Sequence, residues 1–131
     1  AHVSTSRGEG WGLPTTECGA IGLPVIVPWV SSYPEIVPKG CGYFFEKDTR
    51  RIFPGSEKVS PWFGDGIEFP DYGKSSRRQL ARLMLGVRKN HAEARNVGQR
   101  YRDYVASMLT WDKTAKKIAD RLKEICANLD A

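Results

Sequence analysis

The first 28 residues constrain the fold more than any other part of the chain. Residues 2–6 read as the end of a strand, and a glycine-rich turn follows, Arg7-Gly-Glu-Gly-Trp-Gly12. Pro14 suits the first turn of a helix, where its missing N–H is not needed. That helix runs to about Ile21, Gly22 stops it, and Pro24 prevents a restart. Val25-Ile26-Val27 is then a short, wholly apolar run, the pattern of a parallel strand covered on both faces. A strand, a helix and a second buried strand in this order call for a crossover connection. The expected fold class is therefore α/β with a parallel sheet.

The rest of the chain extends this reading. A loop with a short helical turn is expected at 31–37 and a third strand at 42–45. Residues 46–74 show no clear period and are read as an insertion-like loop. They hold Phe53, Trp62, Phe63, Phe69 and Tyr72, so the segment is either a functional loop or, the favoured reading, one that packs on its own aromatics. Three helices follow. In the first, about 76–89, Leu80, Leu83, Met84 and Val87 mark one buried face. In the second, about 92–108, Val97, Tyr101, Tyr104, Val105 and Met108 share a side. The third, the C-terminal helix at 110–129, is capped by Thr110 and carries a stripe from Ala115 through Ile118, Leu122 and Ile125 to Leu129. Trp111 at its start is expected to pack in the core.

At 131 residues the chain suits one domain with one core. No apolar run approaches the roughly 20 residues that span a bilayer. The chain opens at Ala1-His2-Val3 and enters a strand at once, so it is expected to be part of a larger protein. Three cysteines, Cys18, Cys41 and Cys126, have neither the number nor the spacing of a disulfide framework or a zinc site. Reduced thiols and a cytoplasmic location are expected.

Charge is unevenly spread. Residues 1–73 hold six basic and nine acidic residues, and residues 74–102 hold nine basic and one acidic, a local charge of +8. That block could hold the protein against an anionic membrane surface, and the competing reading is an ordinary solvated helical face.

Chemistry is concentrated in Ser6-Arg-Gly-Glu-Gly-Trp-Gly-Leu-Pro-Thr-Thr-Glu17. Free N–H groups at a helix start carry partial positive charge and form a ready phosphate site. Glycines let a ligand approach the main chain closely. Glu9 and Glu17 flank this cradle; both repel phosphate, and both accept hydrogen bonds from sugar or ribose hydroxyls. A phosphate cradle between two hydroxyl-binding carboxylates describes a nucleoside-diphosphate sugar.

The full string, Glu9-Gly-Trp-Gly-Leu-Pro-Thr-Thr-Glu17, resembles the E-x7-E motif of the retaining glycosyltransferases of family four, which have the GT-B fold. Gly19-Ala-Ile-Gly-Leu-Pro-Val-Ile26, Pro34-Glu-Ile-Val37, Gly40-Cys-Gly-Tyr-Phe-Phe45 and, more weakly, Thr110-Trp-Asp-Lys-Thr-Ala115 resemble later parts of the same pattern. The resemblance implies a partial Rossmann-like parallel sheet with flanking helices and a helical C-terminus, the donor-binding half of an enzyme that transfers a hexose-type sugar. It gives Glu9 the catalytic place beside the donor sugar, with Gly10, Trp11 and Gly12 lining the sugar. The amides of Leu13 and Thr15 would meet the diphosphate, and Glu17 would bind the ribose. It implies no cofactor and no metal.

A retaining glycosidase would need two carboxylates about 5 Å apart as acid/base and nucleophile, and those roles are not assigned to Glu9 and Glu17. In the family a basic pair that grips the diphosphate, and the whole acceptor domain, lie upstream of this motif. Alone, the chain is expected to be inactive or nearly so. The last helix commonly crosses to the N-terminal acceptor domain, so here its stripe should be exposed or covered by self-association with a second copy.

The alternative reading is a non-catalytic, glycosyltransferase-like nucleotide-binding or scaffold subunit. Gly73-Lys-Ser75 resembles the end of a P-loop, but the required first glycine would fall at Glu68. There is no G-x-G-x-x-G and no D-x-D. The basic block lacks the interleaved aromatics of a single-strand binder, so no nucleic acid is expected as a partner.

Overall fold

The structure, a computed structural model, describes residues 1–52 and 68–129. Its centre is a three-stranded parallel sheet of β1 (His2–Val3), β2 (Val25–Pro28) and β3 (Tyr43–Phe45). Strand β2 lies in the middle, with Ile26 opposite Val3 on one side and Tyr43 on the other. All four β2 residues are buried, as expected of a strand covered on both faces. Helix α1 (Leu13–Ala20) makes the first crossover and the single turn α2 (Tyr33–Ile36) lies in the second. The fold is mixed α/β with a small parallel sheet and several helices.

Helix α1 ends where its sequence stops it. Gly22 takes the left-handed backbone at φ 78°, and Leu23 N–H donates to the Cys18 carbonyl at 3.0 Å. Helix α4 (His91–Met108) then lies against α1 at very short range, and glycine makes this possible twice. A Cβ on Gly19 would run into the buried ring of Tyr101. A Cβ on Gly98 would run into the backbone of Gly22 and Pro24. The inner face of α4 is Ala94, Val97, Gly98, Tyr101 and Val105. Of the expected face, Tyr104 is half-buried and Met108 is exposed, because the two small residues draw the helix in along a different line.

The expectation of a loop without secondary structure at 46–74 is corrected at its two ends. Strands β4 (Thr49–Ile52) and β5 (Glu68–Asp71) pair antiparallel, with Thr49 opposite Asp71. Tyr72 packs edge-on against Phe45 at 5.4 Å, so it docks on the sheet. Phe53, Trp62 and Phe63 lie outside the described residues.

The start of α3 (Lys74–Lys89) is capped from a distance. Gly73 has no side chain to offer, and a Cβ there would collide with Asp48. The Asp48 carboxylate takes the place of the missing cap, accepting from the amides of Ser75 at 2.9 Å and Ser76 at 2.6 Å and from the Ser76 hydroxyl. Leu80, Leu83 and Val87 turn partly inward, but Met84 does not: it is 49% exposed, beside Leu85 at 52%.

The last helix, α5 (Trp111–Leu129), begins at the expected cap, with Lys113 N–H reaching Thr110 Oγ1 at 3.4 Å. None of its residues is buried. Ile118, Leu122, Ile125 and Leu129 are all exposed, and Trp111 is 88% exposed rather than packed in the core. No helix among the described residues is long and apolar enough to cross a membrane.

Candidate functional site

The glycine-rich turn leaves the C-terminal end of β1 and returns into α1. Ser4 N–H still pairs with the Ile26 carbonyl at 3.0 Å, so the sheet carries the chain to the base of the turn. Gly12 closes it at φ 80° and ψ 43°, a backbone that favours glycine. It is also sterically confined: a Cβ there would lie 3.0 Å from Ile36 Cδ1 and 3.4 Å from Tyr33 Cε1.

Contacts from distant segments hold both shoulders of the turn. On one side Tyr72 donates its hydroxyl to the Ser6 carbonyl at 2.6 Å, and Ser4 Oγ meets Tyr33 OH at 2.6 Å. Burial pushes the Tyr72 hydroxyl up to about 12, with Tyr33 adding and Arg7 opposing, so it stays a donor at neutral pH. On the other side Ser31 grips the main chain of Glu9 at two points. Glu9 N–H donates to Ser31 Oγ at 3.0 Å, and Ser31 Oγ donates to the Glu9 carbonyl at 2.7 Å. Ser31 is the one non-glycine residue at positive φ among the described residues, at 55°. That backbone costs energy for a residue with a side chain, and the two bonds to Glu9 offset part of it. Sequence reasoning saw Ser31 and Tyr72 only as loop residues. Neither contact leaves a local pattern, since they join positions 22 and 66 apart.

Between these shoulders the main chain is open. Gly10, Trp11 and Leu13 are exposed, and their amides make no hydrogen bond with another described residue. The Thr15 amide is arranged differently: it donates to the Gly12 carbonyl at 3.0 Å, as does that of Thr16 at 3.2 Å. The Thr15 side chain is buried, with Oγ1 3.0 Å from His2 Nε2. Burial, and then the N-terminal charge, lower the His2 pKa, which keeps that ring neutral at physiological pH. Of the two amides expected at the diphosphate, Leu13 is therefore free and Thr15 is committed to the helix cap.

Glu9 is half-buried and Glu17 is exposed, and neither carboxylate is bonded to another described residue. Two cavities of about 340 Å³ each flank the turn. One is lined by Arg7, Val30, Ser31, Lys47, Glu68 and Pro70, and there Arg7 lies 3.5 Å from Asp71. The other is lined by Trp11, Leu13, Thr16, Leu109, Thr110, Trp111 and Thr114. The sequence-predicted residues thus divide: Trp11 and Leu13 line the apolar cavity, while Glu9, Gly10 and Glu17 are among the lining residues of neither. Among the described residues no three His, Cys, Asp or Glu side chains gather to hold a metal ion.

Such an arrangement can accept an anion on the free amides and hydroxyl donors on the two carboxylates. In comparison with known proteins, the sequence matches no family model and no curated relative.

Proposed function

We propose that this chain is the donor-binding part of a retaining glycosyltransferase, the Rossmann-like C-terminal half of a GT-B enzyme, and that it holds a nucleoside-diphosphate sugar at the glycine-rich turn. The observation that carries the reading is the turn itself. Its shoulders are fixed by Tyr72 and Ser31, its outward amides at Gly10, Trp11 and Leu13 are unspent, and a free carboxylate lies at each end. The motif from Glu9 to Glu17 supports the same reading.

In this reading the leaving diphosphate gathers negative charge as the glycosidic bond breaks, and the fixed Leu13 amide and the helix start meet that charge. Gly10, Trp11 and Gly12 line the sugar. Glu9 orients sugar hydroxyls near the reacting carbon, and its main chain is held still by Ser31. Glu17, on the outer side of α1, accepts from the ribose hydroxyls. A separate acceptor domain supplies the second substrate, and the open face of α5 is where such a domain, or a second copy of the chain, would pack.

Glu9→Ala and Glu17→Ala separate the roles. In the enzyme that contains this domain, Glu9→Ala should abolish most turnover with nucleotide affinity retained. Glu17→Ala should weaken nucleotide binding roughly ten- to a hundredfold, the loss expected for hydrogen bonds of about 1–3 kcal/mol. Unchanged turnover in both variants would contradict the proposal; loss of turnover with Glu9→Ala also separates the enzyme from a non-catalytic nucleotide-binding subunit.

A further inference from the structure

Helix α3 carries Lys74, Arg77, Arg78, Arg82, Arg88 and Lys89 and no acidic residue. The structure adds what the charge count does not show, the face on which these side chains stand. Leu80, Leu83 and Val87 turn toward the body of the domain, and Arg78, Arg82, Leu85 and Lys89 follow one another at intervals of four, three and four on the outside. Leu85 is 52% exposed and Met84 49% exposed. The outer stripe thus sets one apolar side chain, Leu85, among cations, with Arg82 one turn before it and Lys89 one turn after it, and Met84 stands at the flank of the helix.

These cations are also unspent. Arg78, Arg82, Arg88 and Lys89 form no ion pair with a described residue. The contrast is with α4, where Arg100 is held by Glu93 at 3.2 Å and by the Gly40 carbonyl at 2.9 Å. On α5, Lys116 is paired with Asp120 and Arg121 with Glu124.

Leu85, with a cation one turn to either side, makes this face amphipathic rather than uniformly charged. A single-stranded nucleic acid would be met by stacking rings, and α3 contains no aromatic residue. A bilayer uses both features at once: headgroup phosphates attract the cations, the acyl boundary takes up the apolar side chains, and the long Arg and Lys stems reach from one to the other. We propose that the outer face of α3 docks on an anionic lipid bilayer, with Leu85 entering the acyl boundary and Arg78, Arg82 and Lys89 lying among the headgroups. This holds whether or not the glycine-rich turn binds a sugar nucleotide.

Co-sedimentation of the whole chain with vesicles tests it. The chain should bind vesicles rich in phosphatidylserine and not pure phosphatidylcholine, and high salt should weaken the binding. Each basic residue at such a surface strengthens binding about fivefold, so Arg78→Ala with Arg82→Ala should weaken it by about twenty-five-fold. Leu85→Gln, which keeps a good helix former, should weaken it about tenfold. Removing equal charge from α5, as Lys116→Ala with Lys117→Ala, should weaken it far less. All these positions are exposed, and matching thermal melts would confirm that the variants fold. Three results would overturn the proposal: no binding to anionic vesicles at low salt, binding that the α3 substitutions leave unchanged, or binding that Leu85→Gln leaves unchanged.

Discussion

Two glycine-to-alanine substitutions with opposite expected signs probe the packing that holds α1 and its turn in place. Gly86 and Gly98 both lie within helices, α3 and α4. A Cβ added at Gly86 meets nothing within 4 Å, so Gly86→Ala should gain the ordinary helix preference, about 1 kcal/mol. A Cβ added at Gly98 overlaps the Gly22 carbonyl and lies 2.9 Å from Pro24 N and 3.0 Å from the Gly22 carbonyl carbon. Those atoms are backbone, fixed on one side by the end of α1 and on the other by the entry into β2, so they yield little. Overpacking of this kind costs about 1–3 kcal/mol and here sits at the upper end. After the same helix gain is subtracted, Gly98→Ala should lose about 2 kcal/mol. Thermal unfolding followed by circular dichroism reads both. At this size about 1 kcal/mol moves Tm by roughly 4 °C, so Gly86→Ala should raise it by about 4 °C and Gly98→Ala lower it by about 8 °C. Equal shifts of the same sign would refute the packing argument, because propensity alone treats the two positions alike.

Three further outcomes are expected. Hydrogen bonds from Ser76 hold the Asp48 carboxyl below its ordinary pKa, so its contribution to stability is present above about pH 4 and is lost as pH falls through the folded value. Asp48→Asn should therefore lessen the loss of stability in an acid titration followed by circular dichroism, and an unchanged acid profile would contradict the capping role. Ser31→Ala removes both bonds to Glu9, so amide exchange at Glu9 should speed up while the buried amides of β2 stay protected; unchanged exchange at Glu9 would remove Ser31 from the site. The open stripe of α5 should make the chain self-associate with rising concentration, and Ile118→Lys with Ile125→Lys should return it to a monomer in sedimentation equilibrium; a strict monomer at every concentration would contradict this.

What the sequence made legible was local. The strand–turn–helix–strand order at the N-terminus followed from glycine and proline at fixed offsets and from one all-apolar run, and the parallel sheet followed from the crossover. What it hid depends on distant pairing. β4 reads Thr-Arg-Arg-Ile and β5 reads Glu-Phe-Pro-Asp, neither of which alternates, and they find each other across more than a dozen intervening residues. The spacing of 80, 83, 84 and 87 does not say which side of Leu83 the sheet covers, so it cannot tell that Met84 is exposed. Within the candidate site, Glu9, Glu17 and the free amides were readable from the turn. Ser31 and Tyr72 were not, since they act on the turn through contacts that only the tertiary fold creates.

Glu9 to Glu17 as a donor site can be tested on the chain as it stands. Amide-resolved nuclear magnetic resonance would follow titration with uridine, guanosine and adenosine diphosphate sugars up to about 10 mM, a range that detects binding worth only a few kcal/mol. The account predicts that at least one of them shifts the amides of Gly10, Trp11, Gly12 and Leu13 together, with the Glu17→Ala variant needing more ligand for the same shift. Shifts confined to other surfaces, or none with any of the three, would contradict it.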